Sequence, residues 1–208
     1  MASVPRETMP TRLLIATSNR GKLREFELLL GAGFALEGLA LHPEVQLPPE
    51  GSDYAENAAA KARTAARASG LAALADDSGI ELEALGGAPG PHSARFGGAG
   101  LDDAGRVRLL LAELRRCGAS ASRAARFVCV AALALPSGEV HIARGECAGR
   151  ILDAPRGARG FGYDPVFAPG GEARSMAELT EAEKNRISHR ARALAALAPE
   201  LAALAERP

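Results

Sequence analysis

Leu13-Leu14-Ile15-Ala16 runs directly into Thr17-Ser18-Asn19-Arg20-Gly21-Lys22, after which Leu23, Phe26, Leu29 and Leu30 recur at helical spacing until Gly31 and Gly33 stop them. A short apolar run, a polar turn with glycine and an amphipathic stretch spell strand, loop and helix. The pattern predicts a buried strand over Leu13 to Thr17 and a helix over Lys22 to Leu30. A helix N-terminus presents free backbone N–H groups and the positive end of its dipole, and Lys22 adds a full charge, so the turn is built like a phosphate site. It is not a P-loop, which would need glycine at Ala16 and Ser or Thr at Leu23. Taken alone, the same turn also reads as an ordinary strand–helix connection.

Lysine is scarce here. The chain has three lysines against twenty-two arginines, and Lys22 and Lys184 both sit in short polar motifs, at opposite ends of the sequence. Lysine is a compact point charge on a flexible stem, suited to reaching a phosphate, whereas arginine offers a planar fork.

Outward from the first motif, strands and helices alternate. Glu37 to Leu47 reads as a strand with a proline-interrupted tail, and the alanine-rich Tyr54 to Ser69 as a helix closed by Gly70. Leu71 to Ala75 reads as a buried strand entering Asp76-Asp77-Ser78-Gly79, with a half-exposed strand at Ile80-Glu81-Leu82-Glu83 beyond. Asp102 to Cys117 is amphipathic, with Val107, Leu110, Leu111 and Leu114 on one face. Ala125 to Leu135 and Val140 to Gly149 flank Pro136-Ser137-Gly138 as a β-hairpin. A loop over Pro155 to Gly162 precedes Tyr163-Asp164-Pro165, and Thr180 to Glu206 is mostly helical with an interruption at Pro199. Alternation plus a hairpin predicts an α/β fold with a mixed sheet.

Composition narrows the function classes. The 208 residues suit one domain over 12–208 behind an extension over 1–11 that reads as frayed. Formal net charge is zero, so no global field recruits nucleic acid or a membrane surface, and any anion site is local. Cys117, Cys129 and Cys147 are odd in number and form no CxxC pair, which fits a reducing compartment. No stretch approaches the ~20 apolar residues of a membrane span, and the extension lacks a signal core. The expectation is a cytoplasmic protein.

Three further motifs carry chemistry. In Asp76-Asp77-Ser78-Gly79, adjacent side chains on extended backbone point to opposite faces, so one carboxylate enters a given cleft, where it can bind Mg²⁺ or orient water. An Asx turn is the alternative. Phe161-Gly162-Tyr163-Asp164-Pro165 offers aromatics to stack on a base and an acid to accept its N–H groups, or else a loop whose aromatics enter the core. Thr180-Glu181-Ala182-Glu183 has capping-box form, so a helix starts there. Lys184, His189 and Arg190 would lie near 0°, 140° and 240° on one continuous helix, at ~100° per residue. They converge only if the helix breaks near Ile187-Ser188 and restarts with Ser188 as N-cap. His42, His92 and His141 lack partners at ligand spacing and read as incidental.

These segments together resemble the inosine triphosphate pyrophosphatase family, also called non-canonical purine NTP pyrophosphatases. The resemblance rests on Thr17 to Lys22 with Glu25, Glu56-Asn57-Ala58 with Lys61, Asp76 to Gly79, Leu85 to Gly90, and Ser93-Ala94-Arg95-Phe96. It continues through Phe161 to Pro165, Ala177-Glu178-Leu179, and Glu183-Lys184-Asn185 with Ile187 to Arg190, in family order. It implies an elongated mixed sheet with flanking helices, two lobes around a central active-site cleft, and a homodimer. It also implies a Mg²⁺-dependent hydrolase that cuts the α–β phosphoanhydride of ITP, dITP or XTP, so cleansing the nucleotide pool. By position, Thr17, Ser18, Asn19, Arg20, Gly21 and Lys22 hold the triphosphate. Asp77 is the catalytic and metal residue, Asp76 by alternation faces away and supports the turn, and Ser78 touches substrate. Phe161, Gly162, Tyr163 and Asp164 hold the base, with Lys184, His189 and Arg190 completing the pocket. Family members place a metal-binding acid ahead of the glycine that precedes the Glu-Asn-Ala block. Here that stretch reads Leu47-Pro48-Pro49-Glu50-Gly51, so the role falls on Glu50, one position off register. A broad-specificity or pyrimidine enzyme and a non-catalytic nucleotide sensor are the alternatives. Retention of Asp77, Lys22 and the Lys184/His189/Arg190 set speaks against the sensor.

Overall fold

The computed structural model describes residues 10–206. Nine of the eleven residues read as an extension lie outside them, and Thr11 already belongs to the first strand. That strand, β1 (Thr11–Ile15), leads into α1 (Arg20–Leu30), β2 (Phe34–Gly38) and α2 (Tyr54–Ser69). Strand β3 (Ala72–Leu82), the two-residue β4 (Pro89–Gly90) and α3 (Asp103–Arg116) follow. The chain continues through β5 (Ala124–Ala134), β6 (Val140–Ile151), β7 (Phe167–Pro169), α4 (Glu181–Ile187), α5 (His189–Ala196) and α6 (Ala198–Ala205).

The strands form one mixed sheet in the order β2-β1-β3-β5-β6-β7, with β4 also on β3. The parallel half, β2-β1-β3, comes from crossovers through α1 and α2, and the antiparallel half from the β5–β6 hairpin. Strand β3 is the hinge of the design. β5 occupies one of its edges from Ala73 to Leu82. The other edge is shared: β1 takes Ala72–Leu74 and β4 takes Ile80–Glu81. Between them, Asp76 to Gly79 have no strand partner on that edge, and the sheet forks.

The apolar residues sort into lobes on either side of this fork. One cluster joins Ile80 and Leu82 to α3, Phe127 and Phe167. Below the fork, alternation along β3 sends Leu74 toward Phe26 and α5, and Ala73 and Ala75 toward the alanine face of α2. The alanine run thus serves close helix–sheet packing as well as helix propensity.

Three element expectations are corrected. Asp76 to Gly79 is the middle of one continuous strand rather than a turn between two, because β5 pairs straight through it. The strand expected over Glu37 to Leu47 lies earlier, at Phe34–Gly38, and shares only Glu37 and Gly38 with the expectation, because a 3-10 turn at Leu39–Leu41 ends it before the prolines. The last helical interruption falls at Leu197, and Pro199 sits in the first turn of α6, where its missing N–H costs nothing.

Candidate active site

The cleft opens where the sheet forks. Asn19, Lys22, Glu50, Asp77, Ser78, Phe161, Asp164, Lys184, His189 and Arg190 all line it. Its interior volume is about 120 Å³, and its mouth is open to solvent.

Asn19 caps α1, its side chain accepting from the Lys22 N–H at 3.0 Å, and this fixes the start of the helix at the cleft. Of the expected triphosphate residues, Asn19 and Lys22 line the cleft, and Gly21 lines a recess behind Phe161. Thr17, Ser18 and Arg20 are outside that lining. Thr17 shapes the turn by accepting from the Asn19 N–H, and Ser18, ahead of the helix cap, and Arg20, in the first turn of α1, are exposed. The ring of Phe161 packs on Gly21 so closely that a Cβ there would stand 2.5 Å from it.

Alternation along β3 separates the two aspartates. Asp77 faces α2, where Asn57 donates to it at 2.7 Å and the Lys61 ammonium stands 4.0 Å away. The same Asn57 amide accepts from the Gly51 N–H and donates to the Gly51 carbonyl, tying the Glu50–Gly51 loop to Asp77. Lys61 also meets Glu50 at 2.5 Å. Burial pushes the Asp77 carboxyl above the usual carboxylate range, although Asn57 and Lys61 oppose it. Burial acts the same way on Glu50, but Lys61 prevails and holds its carboxyl below that range.

Asp76 does not turn away to support a turn. It faces the cations: Lys22 at 3.1 Å and Arg190 at 3.0 Å, with Ser78 Oγ donating to it at 2.5 Å. Burial penalises its charge, yet Lys22 and Arg190 outweigh that and hold the carboxyl far below the usual range. Arg190 also pairs with Glu25, and Lys184 pairs with Glu25 at 2.7 Å and with Asp164. Two of the three ammonium donors of Lys184 are thereby held, leaving one for a ligand. The ammonium lies 5.3 Å from the centre of the Phe161 ring.

The helix break brings these groups together. Thr180 and Glu183 form the capping box of α4, and Ser188 ends that helix and caps α5, accepting from the Ala191 N–H. His189 stacks on Phe127 with centroids 4.8 Å apart. Burial, with Arg190 and Lys184 nearby, drives its pKa well below the ordinary value, so it is neutral, and its buried Nδ1 has no partner.

Asp103 and Arg106 also line the cleft, and neither was singled out from sequence. Asp103 accepts from the Gly162 N–H at 2.8 Å. One signal was present: Arg106 precedes Leu110 by four residues, which puts a guanidinium on the buried stripe of α3.

No group of three or more His, Cys, Asp or Glu residues among those described is arranged to cage a metal. Asp77 and Glu50 fit a harder requirement. They face one cavity around a single ammonium, leaving one negative charge in excess. Mg²⁺ suits such a pair, since it takes one or two carboxylates and completes its shell with water and phosphate.

A forked α/β sheet whose cleft joins a carboxylate pair to partly engaged cations and a stacking ring defines a site for an anionic ligand with a flat ring. The chain belongs to the Ham1 family, whose model matches residues 13–200. It is 53% identical over 188 residues to the dITP/XTP pyrophosphatase of Deinococcus deserti, covering 89% of this chain and 87% of that one. It is 51% identical to the dITP/XTP pyrophosphatase of Symbiobacterium thermophilum, covering 94% and 97%. Among solved structures, a HAM1 protein from Coxiella burnetii matches with TM-score 0.83 and 39% identity, over 93% of this chain and 99% of that one.

Proposed function

We propose that this chain hydrolyses ITP, dITP and XTP to the monophosphate and pyrophosphate with Mg²⁺, removing deaminated purines from the nucleotide pool. The observation that carries the reading is one cleft holding both halves of the chemistry. Asp77, Glu50 and Lys22 line it with Phe161, Asp164 and Lys184, around the N-terminus of α1. The names of the relatives accord with it.

Lys22 and the start of α1 neutralise the triphosphate. Asp77 and Glu50 would hold the metal, which when bound polarises the phosphoryl oxygens and lowers the pKa of water. Asp77 accepts the proton of the water that attacks the α-phosphorus, and pyrophosphate leaves with the electron pair of the α–β bridge. Its raised proton affinity suits a general base. Phe161 stacks on the base and the free donor of Lys184 meets a 6-oxo group. Adenine presents an amino donor there, and donor against donor discriminates strongly.

Pyrophosphate release across a nucleotide panel with and without Mg²⁺ tests the reading. ITP, dITP and XTP are expected to outrun ATP greatly. Comparable kcat/KM for ATP and ITP would favour a broad-specificity enzyme, and binding without release a sensor. The homodimer and the cytoplasmic location belong to the same proposal, and light scattering on the purified protein checks the first. No helix among the described residues is long and apolar enough to cross a membrane.

A further inference from the structure

The 6-oxo reading leaves a gap. Guanine carries the same oxo group and protonated N1 as hypoxanthine, so Lys184 alone cannot reject GTP. Hypoxanthine, xanthine and guanine differ at C2, which bears hydrogen, an oxo acceptor and an amino donor respectively. A pocket that accepts the first two and refuses the third needs a donor, and no acceptor, at that edge.

Arg106 has the properties required. It projects from the first turns of α3 into the cleft, from the opposite lobe to Lys22, and lines the wall with Ser93, Ala94, Gly162 and Tyr163. The base loop lies between Arg106 and Lys184. Its Asp164 end holds Lys184, and its Gly162 N–H is held by Asp103, three residues before Arg106 on the same helix face. A base stacked on Phe161 with its C6 edge toward Lys184 therefore turns its C2 side toward α3. Arg106 is half-buried, and among the described residues it forms no ion pair. Its Nη1 donates to the Leu101 carbonyl, and among the described residues its buried Nε has no partner and Nη2 makes no hydrogen bond. A half-buried guanidinium left without an anion, in a cleft where the other cations are tied to carboxylates, has unused donors directed at a ligand.

We infer that Arg106 is a specificity-determining residue that reads the purine C2 position, favouring a 2-oxo group and excluding a 2-amino group. This rests on the proposed triphosphate hydrolysis and names the part of the substrate that α3 recognises. Xanthine also loses a proton near neutrality and spreads the charge over its N3 and O2 side, which a guanidinium favours further. At Arg106 the guanine amino group would meet guanidinium N–H donors, displacing water without replacing its hydrogen bonds there.

The test is kcat/KM for XTP, ITP and GTP in wild type, Arg106→Met and Arg106→Lys, with circular dichroism to verify folding. ITP, with hydrogen at C2, serves as the internal reference. In Arg106→Met the XTP/ITP ratio is expected to fall about ten- to hundredfold, the range of a lost charge-assisted hydrogen bond, and the GTP/ITP ratio to rise. Arg106→Lys, which keeps charge and donors, should fall between. An equal loss on all three substrates would put Arg106 on the triphosphate and overturn the inference, as would ratios unchanged from wild type. Should Arg106→Met fail to fold, Arg106→Lys and the binding of XMP, IMP and GMP to wild type decide: equal affinities for XMP and GMP overturn it. Failure of wild type to release pyrophosphate from ITP or XTP would instead refute the proposed hydrolysis.

Discussion

One step along β3 separates two aspartates that do different work. Asp77→Asn keeps shape and hydrogen-bonding atoms but removes the charge that accepts a proton and holds a metal. General-base help is worth about 10²–10⁴ in rate, so kcat is expected to fall at least a hundredfold with the fold intact. Retention of more than about a tenth of wild-type kcat would reassign the base. Asp76→Asn should behave differently, because it leaves the buried Arg190 with Glu25 alone and the half-buried Lys22 without its carboxylate. Breaking such a pair costs about 3–5 kcal/mol, so the expected loss is thermal stability, read by calorimetry. From sequence, alternation split the pair correctly, but Asp76 was expected to face away. Asp-Ser-Gly composition reads as a turn, and nothing local says that β5 pairs through it. His42 gives a second prediction. It contacts Glu44 at 3.0 Å and Glu37 at 2.8 Å, and these hydrogen bonds raise its pKa against the opposing effect of burial. Glu37 titrates at about 2, held down by Arg12 and His42, and so stays ionised. A raised histidine pKa stabilises the fold fully below the unfolded value of about 6.5, and the benefit fades as pH rises through the folded value. The Tm gap between wild type and His42→Gln should therefore be widest near a pH of about 5.5 and narrow toward about 9. A gap independent of pH would show that the charged imidazolium plays no part.

At the scale of elements, legibility depended on whether the deciding signal was local. Helix α2 is read correctly to the residue, because Asp53 caps one end and Gly70, in the left-handed conformation, closes the other. The α4–α5 break was legible through geometry: three polar residues could not share a face, and Ser188 stood ready as a cap. Strand β2 is misplaced by the sequence reading, which starts it three residues late and runs it too far, because apolar alternation says nothing about where a sheet gains and loses partners. The break itself makes a prediction. Ser188→Ala removes the α5 cap at a cost of about 1 kcal/mol, or roughly 2–4 °C in Tm for a chain of this size. Because His189 and Arg190 are the first residues of α5, KM should rise while Asp77 chemistry is spared. Ser188→Asp, which can cap equally, should restore both. If Ser188→Ala keeps wild-type Tm and KM, the restart is held by packing and the cap is incidental.

For the whole molecule, the fork matters more than any single element, and it was the least legible feature. Two lobes are expected from resemblance; no local pattern reveals that β1 and β4 share one edge of β3, since β1 reaches it across α1, β2 and α2, and β4 is only two residues long. The fork puts the phosphate-side groups, Asn19 and Lys22, on one lobe and Ser93, Asp103 and Arg106 on the other. A ligand that touches both sets closes the gap that the sheet leaves open, and so stabilises the molecule as a unit. An ITP analogue with a non-hydrolysable α–β bridge, added with Mg²⁺ at a hundredfold its Kd, should stabilise the folded state by about 2.7 kcal/mol. At roughly 2–4 °C per kcal/mol, the expected rise in Tm is about 5–11 °C. Amide hydrogen exchange supplies the spatial test. Protection should increase both at Asn19 to Leu23, where α1 begins, and at Asp103 to Val107, where α3 begins, because each lobe contributes its helix to the same ligand. Protection confined to α1 would mean that the nucleotide sits on one lobe alone, and that the fork separates the lobes without joining them through substrate.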